Sequence, residues 1–386
     1  MSDTPKSKTE GMTTLQLVKH TKPMLRESSI KNYILSYNKL ANHAKTNNVE
    51  DFVRKPKTIL KALKKMGLSK NTEKNYISAV INVIGAYNLD NRQGFLGKRY
   101  TNAIKIYRKG IFDLKKSIDK DREERDGKMT EKESKNFITY EDVKNTFKLY
   151  QKIIKDGDID KKLYADLTGI ERDMLQKYVL TALYAFLPPI RNEYATLTVI
   201  YQKLSKPIED RDPIWMPPIN RSSNNLIFRM NEDDEVEEVL IEMNHYKTSK
   251  TLGSRTIVVK PTGAFYVEKG NTQIAKGKAL WNTLLDWNRV NKERRDELGK
   301  ALFYDKKGRK MSKNGMTKYL YNTFKILFPN KNVSSNILRK SYHSAQQKDS
   351  SFKNELKKNT IIANSMGHSV GEAMESYVKD ISGVAK

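Results

Sequence analysis

Apolar positions in the first part of the chain recur at three- and four-residue spacings. Between residues 15 and 110 this periodicity predicts amphipathic helices whose apolar stripes share one core. Segments 29–34 and 72–77 echo each other, since each sets a cap-type residue before a helix with lysine on one face and tyrosine on the inner side. The pattern therefore predicts a helical domain over residues 15–110, preceded by a flexible tail over residues 1–14.

The middle of the chain contains a segment that is apolar nearly all round. This segment, residues 174–187, predicts a helix buried in the core of a second domain. Pro188 and Pro189 follow directly and end the helix, because proline cannot continue the backbone hydrogen-bond ladder. Thr139, with Asp142 three residues later, predicts the capped start of the first helix of this domain.

Short runs of branched residues, separated by polar turns, follow the buried helix at 226–230, 239–244 and 255–259. Runs of this length and composition predict a small three-stranded antiparallel sheet. Helical periodicity then returns, and further helices are predicted at 279–287, 313–327 and 334–344. The predicted fold class is mainly α with a small antiparallel β-sheet, and the second domain is expected to cover residues 138–386.

The net charge of the chain and its distribution indicate the kind of partner that the protein binds. The chain carries 72 Lys+Arg against 45 Asp+Glu, a formal net charge of +27, which indicates a polyanionic partner, most commonly nucleic acid. The expected partner is double-stranded DNA. Residues 1–110 hold 22 basic and 7 acidic residues, whereas residues 111–137 hold 8 of each and are expected to form a solvated, partly helical linker. The candidate phosphate donors of the first domain are Lys31, Lys61, Lys64, Lys65, Lys70 and Lys74.

Composition also excludes several classes of protein. No run of 18 apolar residues is present, so no membrane span is expected, and the polar first ten residues do not form a secretory signal. The absence of cysteine excludes disulfides and thiolate zinc sites, and it agrees with an intracellular location. The five histidines show no ligand spacing, and the acidic run 232–235 is typical of a solvated turn, so no metal is expected.

Candidate chemistry begins where the buried helix ends. Arg191 lies directly after the two prolines, with Glu193 two residues further on. An arginine in this place is either part of a structural buried ion pair or a fixed cation aimed into a cleft. Lys247 and Lys250 lie on the connection between the second and third predicted strands, where a lysine is usually solvated unless its neighbours make it catalytic.

The C-terminal part supplies further candidates. Asn336 and Arg339 are three residues apart on one face of a predicted helix. His368 is predicted to lie in a turn, and the capping-box pattern of Ser369 with Glu372 predicts a helix that carries Tyr377 two turns along. A tyrosine presented in this way, nine residues after a histidine, is a candidate phenolic nucleophile.

The order Arg191, Lys247, Arg339, His368 and Tyr377 resembles the tyrosine recombinase (phage-integrase) superfamily. The resemblance spans about residues 15–380, and its specific parts are the Leu-Arg-Lys-Ser-Tyr and Met-Gly-His-Ser…Tyr segments. It implies a helical core-binding domain in front of a mixed α/β catalytic domain. The sequence around Arg191 and Lys247 is similar to that of integrases of mobile elements and of large DNA viruses or virophages. This similarity implies DNA recombination or integration.

The resemblance also implies a role for each residue. Tyr377 would attack a DNA phosphodiester and leave a 3′-phosphotyrosyl link and a free 5′-hydroxyl, while Arg191 and Arg339 bracket the non-bridging oxygens. Lys247 would act as general acid toward the leaving oxygen, with Lys250 as its rival, and His368 would hydrogen-bond the phosphate. Neither ATP nor a metal is required, because the covalent link conserves bond energy. The expected assembly is a homo-tetramer on paired DNA sites.

Two departures from the family pattern affect supporting positions. The family usually has histidine where this chain has Asn336, which can donate a hydrogen bond but cannot shuttle a proton near neutral pH. His343, one helical turn past Arg339, is either a partial substitute or an ordinary partly buried histidine. The carboxylate expected three residues after the first arginine falls here at two, as Glu193.

Two other functions compete with recombination. A type IB DNA topoisomerase uses the same set of side chains, but its histidine and tyrosine are usually far apart in sequence, whereas His368 and Tyr377 are nine residues apart. A non-catalytic DNA-binding relic of an integrase would retain the basic domain. The complete set of five candidate residues favours an active enzyme.

Overall fold

The computed structural model describes the following residues: 12–25, 27–46, 48–90, 97–125, 128–204, 222–247, 249–261, 265–269, 272–297 and 300–347. The chain divides into two compact units, Met1–Asp126 and Gly127–Lys386, called here the N-terminal unit and the C-terminal unit. Both are mainly helical in their described parts, and the C-terminal unit also holds a sheet. The predicted fold class, mainly α with a small sheet, is confirmed. Within the described ranges, no helix is long and apolar enough to cross a bilayer.

The N-terminal unit is built from helices that begin where the sequence offers caps. Thr13 and Gln16 form a capping box at the first helix, Asn48 caps the third, and Pro56 occupies the first position of the fourth. Tyr107, fully buried, donates a hydrogen bond to the carbonyl of Phe52 at 2.8 Å. The helices are α1 (Thr14–Thr21), α2 (Glu27–His43), α3 (Val49–Arg54), α4 (Pro56–Lys65), α5 (Lys70–Asp90) and α6 (Gly97–Arg125).

Helix α6 is 29 residues long and includes the first part of the segment expected to be a charged linker. Its charges are partly arranged as pairs that suit a helix, such as Lys120 with Glu124 at 3.6 Å one turn apart. A short helix follows, α7 (Glu131–Asn136), which Thr130 opens with a capping box. Residues 111–125 are therefore helical throughout, where the sequence predicted only a partly helical linker.

The C-terminal unit confirms the long helical predictions. Thr139 and Asp142 form the capping box that opens α8, and the buried helix α9 ends before Pro188. Almost all of the second half of α9 is inaccessible to solvent, as its apolar sequence predicts. The helices are α8 (Tyr140–Asp156), α9 (Gly169–Phe186), α10 (Ser249–Leu252), α11 (Lys278–Val290), α12 (Lys313–Phe324) and α13 (Ser335–Gln347).

The sheet contains the three predicted antiparallel strands and is larger than they are. Its described strands are β1 (Leu197–Lys203), β2 (Asn224–Met230), β3 (Val236–Met243), β4 (Arg255–Lys260), β5 (Phe265–Lys269) and β6 (Thr272–Lys276), in the order β1-β2-β3-β4-β6-β5. The central strands β2, β3 and β4 are antiparallel, as predicted. However, β1 pairs parallel to β2 and β6 parallel to β4, so the sheet is mixed.

Both faces of the central strands are buried. One face packs on the helices, where Phe228 stacks on Trp287 with ring centroids 6.0 Å apart. On the other face Arg229 pairs with Glu238 at 2.7 Å, and its Nε donates to Gln202 at 3.1 Å. Every residue of β2 is buried, which explains why this strand lacks a simple apolar–polar alternation.

Candidate active site and basic surfaces

The turn that follows α9 carries Arg191 and leads into a 3-10 helix, Asn192–Thr196. The side-chain amide of Asn192 donates to the carbonyl of Lys313 at 3.0 Å and to the hydroxyl of Thr317 at 2.6 Å. Both acceptors belong to the start of α12. The turn is therefore held between the end of α9 and a helix far along the chain, and the Arg191 side chain is partly exposed there.

The hydroxyl of Tyr184 bonds to the backbone of one candidate arginine and lies within electrostatic reach of the other. This fully buried phenol donates a hydrogen bond to the backbone carbonyl of Arg191 at 2.9 Å. Burial raises the pKa of Tyr184 well above its ordinary value, and the nearby guanidinium of Arg339 acts in the opposite direction. The charge of Arg339 thus lies within electrostatic reach of the hydroxyl that holds Arg191.

Helix α13 holds Arg339 in the interior, with no exposed side-chain surface. Three contacts seat this helix on α7, on the residues that follow it and on the start of α8. The Ser341 hydroxyl donates to the carbonyl of Ile138, Lys340 pairs with Glu133, and the Tyr342 ring packs edge-on against Tyr140 with centroids 5.3 Å apart. A guanidinium on a helix seated in this way is preorganised, because few rotamers remain open to it.

The two uncertain positions on α13 have opposite environments. Asn336 is exposed. His343 is completely buried, and neither ring nitrogen has a hydrogen-bond partner among the described residues. Burial lowers the pKa of His343 to about 4, so this ring is neutral at pH 7. A neutral, enclosed ring cannot give a phosphate oxygen a positively charged partner, so His343 does not suit the role of a partial substitute for the family's histidine.

Glu193 is buried within the 3-10 helix. Burial raises the pKa of the neighbouring Tyr194, and the Glu193 carboxylate raises it further. Its backbone carbonyl accepts the hydroxyl of Thr196 at 2.7 Å. A direct role for Glu193 in orienting Arg191 stays a prediction.

Lys247 lies exposed on the connection between β3 and β4. The connection is closed by the Tyr246 hydroxyl, which donates to the carbonyl of Gly253 at 2.7 Å, and by the Arg255 guanidinium, 6.0 Å from the Tyr246 ring centroid. Lys250 lies on α10, within this connection. This connection contains a helical turn, α10, that the sequence pattern did not predict.

The remaining candidates, His368 and Tyr377, lie outside the described residues, as does the whole of 348–386. The roles assigned to them stay predictions. Within the described residues, no group of three or more His, Cys, Asp or Glu side chains could hold a metal ion.

A basic surface that the sequence pattern did not bring out adjoins Arg191. Residues 306–318 contain six basic residues and no acidic one, and all six basic side chains are exposed. Asn192 binds the helix start within this segment, through Lys313 and Thr317. The local excess of lysine and arginine was the available signal. The side chains are Lys306, Lys307, Arg309, Lys310, Lys313 and Lys318.

The six lysines predicted to contact DNA in the N-terminal unit differ in their surroundings. Lys61, Lys64 and Lys65 are exposed on α4, and Lys74 is partly exposed on α5. Lys31 and Lys70 are also exposed, but each pairs with an acidic side chain: Lys31 with Glu27 at 3.0 Å and Lys70 with Asp121 at 2.6 Å.

A groove of about 680 Å³ lies beside α4 in the same unit. Lys61 and Lys64 line it together with Lys57 and Lys109, two lysines that the sequence pattern did not single out. Its apolar lining includes Leu60 and Ile77.

Comparisons with known proteins leave the family of the chain open. No protein-family model matches it, and no curated protein matches it. Among solved structures, the crystal structure of XerA recombinase is similar at 13% sequence identity, covering 96% of this chain and 94% of that chain with a TM-score of 0.35. A similarity of this size does not define a family, so the functional assignment rests on the residues of the site.

Proposed function

We propose that this chain is a site-specific DNA recombinase that cuts and rejoins strands through a covalent 3′-phosphotyrosyl intermediate. The observation that carries the proposal is the hydrogen bond from the buried Tyr184 hydroxyl to the backbone of Arg191, with the charge of the buried Arg339 within electrostatic reach of the same hydroxyl. Two guanidinium groups suit a phosphodiester, because their paired N–H donors match its non-bridging oxygens. Lys247, on a connection close to the same 3-10 helix, suits a role as proton donor.

The proposed step balances without a cofactor. The oxygen of Tyr377 bonds to phosphorus as the bond between phosphorus and the 5′-oxygen breaks. The departing oxygen takes a proton from the Lys247 ammonium and leaves as a 5′-hydroxyl, while the phenol proton passes to solvent and a solvent proton restores the lysine. Arg191 and Arg339 stabilise the charge that develops on the phosphoryl oxygens, and such donors are worth about 3–4 kcal/mol each in comparable sites. Rejoining is the reverse of this sequence.

The charge distribution supports DNA as the substrate. The formal net charge is +27, exposed lysines follow α4 in the N-terminal unit, and the basic segment 306–318 adjoins Arg191 in the C-terminal unit. Contacts of this kind bind phosphates without reading bases, so they position an enzyme on a duplex.

Covalent trapping on nicked DNA tests the proposal. A random-sequence pool of duplexes nicked beside the cleavage point is incubated with the chain, and DNA that stays bound after denaturation is recovered. The short cleaved fragment diffuses away, so rejoining fails and the adduct accumulates. We expect adducts with the wild-type chain and none with Tyr377→Phe. Equal recovery with both proteins, or none with either, contradicts the proposal.

A second assay separates recombination from strand relaxation. We propose further that the enzyme is an integrase of a mobile element or virus, as the sequence around Arg191 and Lys247 suggests. We also propose that it acts as a homo-tetramer on paired sites. Recovered sites placed on two different duplexes are then expected to give joined products. Relaxation of a supercoiled plasmid without any joining would instead indicate a type IB topoisomerase.

A further inference from the structure

Asn224 is the first residue of β2 and is almost completely buried, with 2% of its surface exposed. Its carboxamide uses all of its hydrogen-bonding capacity. The oxygen accepts the backbone N–H of Asn244 at 2.8 Å and that of His245 at 2.7 Å. The nitrogen donates to the hydroxyl of Thr196 at 2.8 Å and to the carbonyl of His245 at 3.1 Å. An asparagine side chain has two donors and two acceptor sites, so none is left over.

These bonds lie where the strand ladder ends. The pairing of β2 with β3 runs out at Asn225 opposite Glu242, so the backbone of Asn244 and His245 has left the sheet. Buried backbone groups there need other partners. The Asn224 carboxamide provides these partners. In addition, the side chain of Asn244 donates to the carbonyl of Ser223 at 2.8 Å. The start of the connection that carries Lys247 is therefore fixed to β2.

The same carboxamide also reaches the segment that carries Arg191. Thr196 accepts from Asn224 and donates in turn to the carbonyl of Glu193 at 2.7 Å. Two consecutive hydrogen bonds thus join the start of the Lys247 connection to the 3-10 helix that begins directly after Arg191. Lys247 lies only two residues beyond His245, and its side chain is exposed. The side chain can therefore move, while the backbone just before it is held in place.

We propose that Asn224 is a positioning residue, which sets the place from which Lys247 delivers its proton relative to Arg191. This inference rests on the proposed function. It predicts that removing the carboxamide impairs proton delivery to the leaving oxygen while binding of the phosphate by the arginines persists. A misplacement of about 1 Å is enough to slow such a step by about 100-fold.

The leaving group offers a direct test. Two copies of one trapped duplex are prepared, one with the ordinary bridging 5′-oxygen at the cleaved phosphate and one with sulfur in that position. Sulfur departs as a thiolate without needing a proton, because thiols are much stronger acids than alcohols. Single-turnover cleavage is measured on both. With Asn224→Ala we expect about a 100-fold loss on the oxygen substrate and near wild-type cleavage of the sulfur substrate, as for Lys247→Ala.

Matched variants separate positioning from a general loss of structure. Arg191→Ala is expected to be slow on both substrates, because its role does not depend on the leaving group. Asn225→Ala removes the neighbouring buried carboxamide, which faces away from Asn224 and donates to Glu242 at 3.1 Å. Any loss it causes should not be rescued by sulfur. The double variant Asn224→Ala with Lys247→Ala should be no slower than Lys247→Ala alone.

A second readout needs no DNA. Hydrogen exchange of the peptide covering 244–254 should become faster in Asn224→Ala, whereas a peptide within 236–243 should keep its protection. If the alanine variant does not fold, Asn224→Asp carries the cleavage test, since it loses both donors, including the one to Thr196, while it keeps the acceptor oxygen. Wild-type rates on the oxygen substrate, or equal slowness on both substrates, overturn the inference. A wild-type chain that cleaves neither substrate contradicts the proposed function instead.

Discussion

The hydroxyl of Tyr184 donates a hydrogen bond to the backbone carbonyl of Arg191 at 2.9 Å, from a ring that is fully buried. Its neighbour Tyr194 is equally buried and packs edge-on against it with centroids 5.2 Å apart. The Tyr194 hydroxyl has no hydrogen-bond partner among the described residues. The two tyrosines therefore form a natural pair for measuring what the bond to Arg191 contributes.

Tyr184→Phe should lower the free energy of unfolding by about 0.5–1.5 kcal/mol, because a buried carbonyl loses its donor. Tyr194→Phe, the matched control, should change it little or raise it, since the hydroxyl removed makes no such bond. Denaturant unfolding of both variants measures the difference. A larger loss for Tyr194→Phe would show that the bond at 2.9 Å does not stabilise the turn.

DNA binding should depend more on lysines that have no acidic partner in the described part of the chain than on lysines that pair with a carboxylate. Lys61→Ala with Lys64→Ala should weaken binding to a random duplex and reduce the slope of log affinity against log salt by about 0.9 for each phosphate no longer neutralised. Lys31→Ala with Lys70→Ala, the control, should have a smaller effect, because these lysines already pair with Glu27 and Asp121. Salt titrations of both double variants decide the matter, and equal slopes would contradict the predicted role of α4 in binding phosphates.

Acid should destabilise the C-terminal unit through His343. Its folded pKa, about 4, is depressed below the ordinary value of 6.5, so the unfolded chain takes up a proton first as the pH falls. Stability is therefore complete above pH 6.5 and declines toward pH 4, by at most about 3 kcal/mol. His343→Leu should remove this part of the decline, and unfolding measured between pH 7 and 5 avoids most carboxylate titration. An unchanged slope in the variant would contradict the burial of a neutral ring.

Gly110→Ala should stabilise the N-terminal unit by about 0.5–1 kcal/mol, because glycine within a helix is costly. An added Cβ would meet Ile77 and Leu60 at 3.5–3.7 Å, which is an ordinary van der Waals separation. Gly157→Ala serves as the comparison, since its Cβ would meet the carbonyl of Ile153 at 3.2 Å and gain less. Thermal unfolding of the two variants tests this, and a destabilised Gly110→Ala would mean that α6 packs more tightly here than these distances indicate.

Much of the helical framework could be predicted because its signals are local. The Thr139–Asp142 capping box, the apolar helix before Pro188 and the three central strands all follow from neighbours in sequence. The parallel strands β1 and β6 could not be predicted, because their partners are chosen by packing across the sheet. The full extent of helix in residues 111–125 was also not predicted, since α6 continues through them from a segment with a clear apolar face, whereas their own charge pattern indicated only a partly helical linker.

By itself, the sequence determined the helical framework, the central antiparallel strands, the basic character and the order of the candidate residues. Only the tertiary structure bonded Tyr184 to the backbone of Arg191, buried Arg339 and His343, and placed Asn224 between Thr196 and His245. The physical reason is the range of the forces. Helix periods and caps act within a few residues, whereas burial and long-range hydrogen bonds depend on which distant segments pack together.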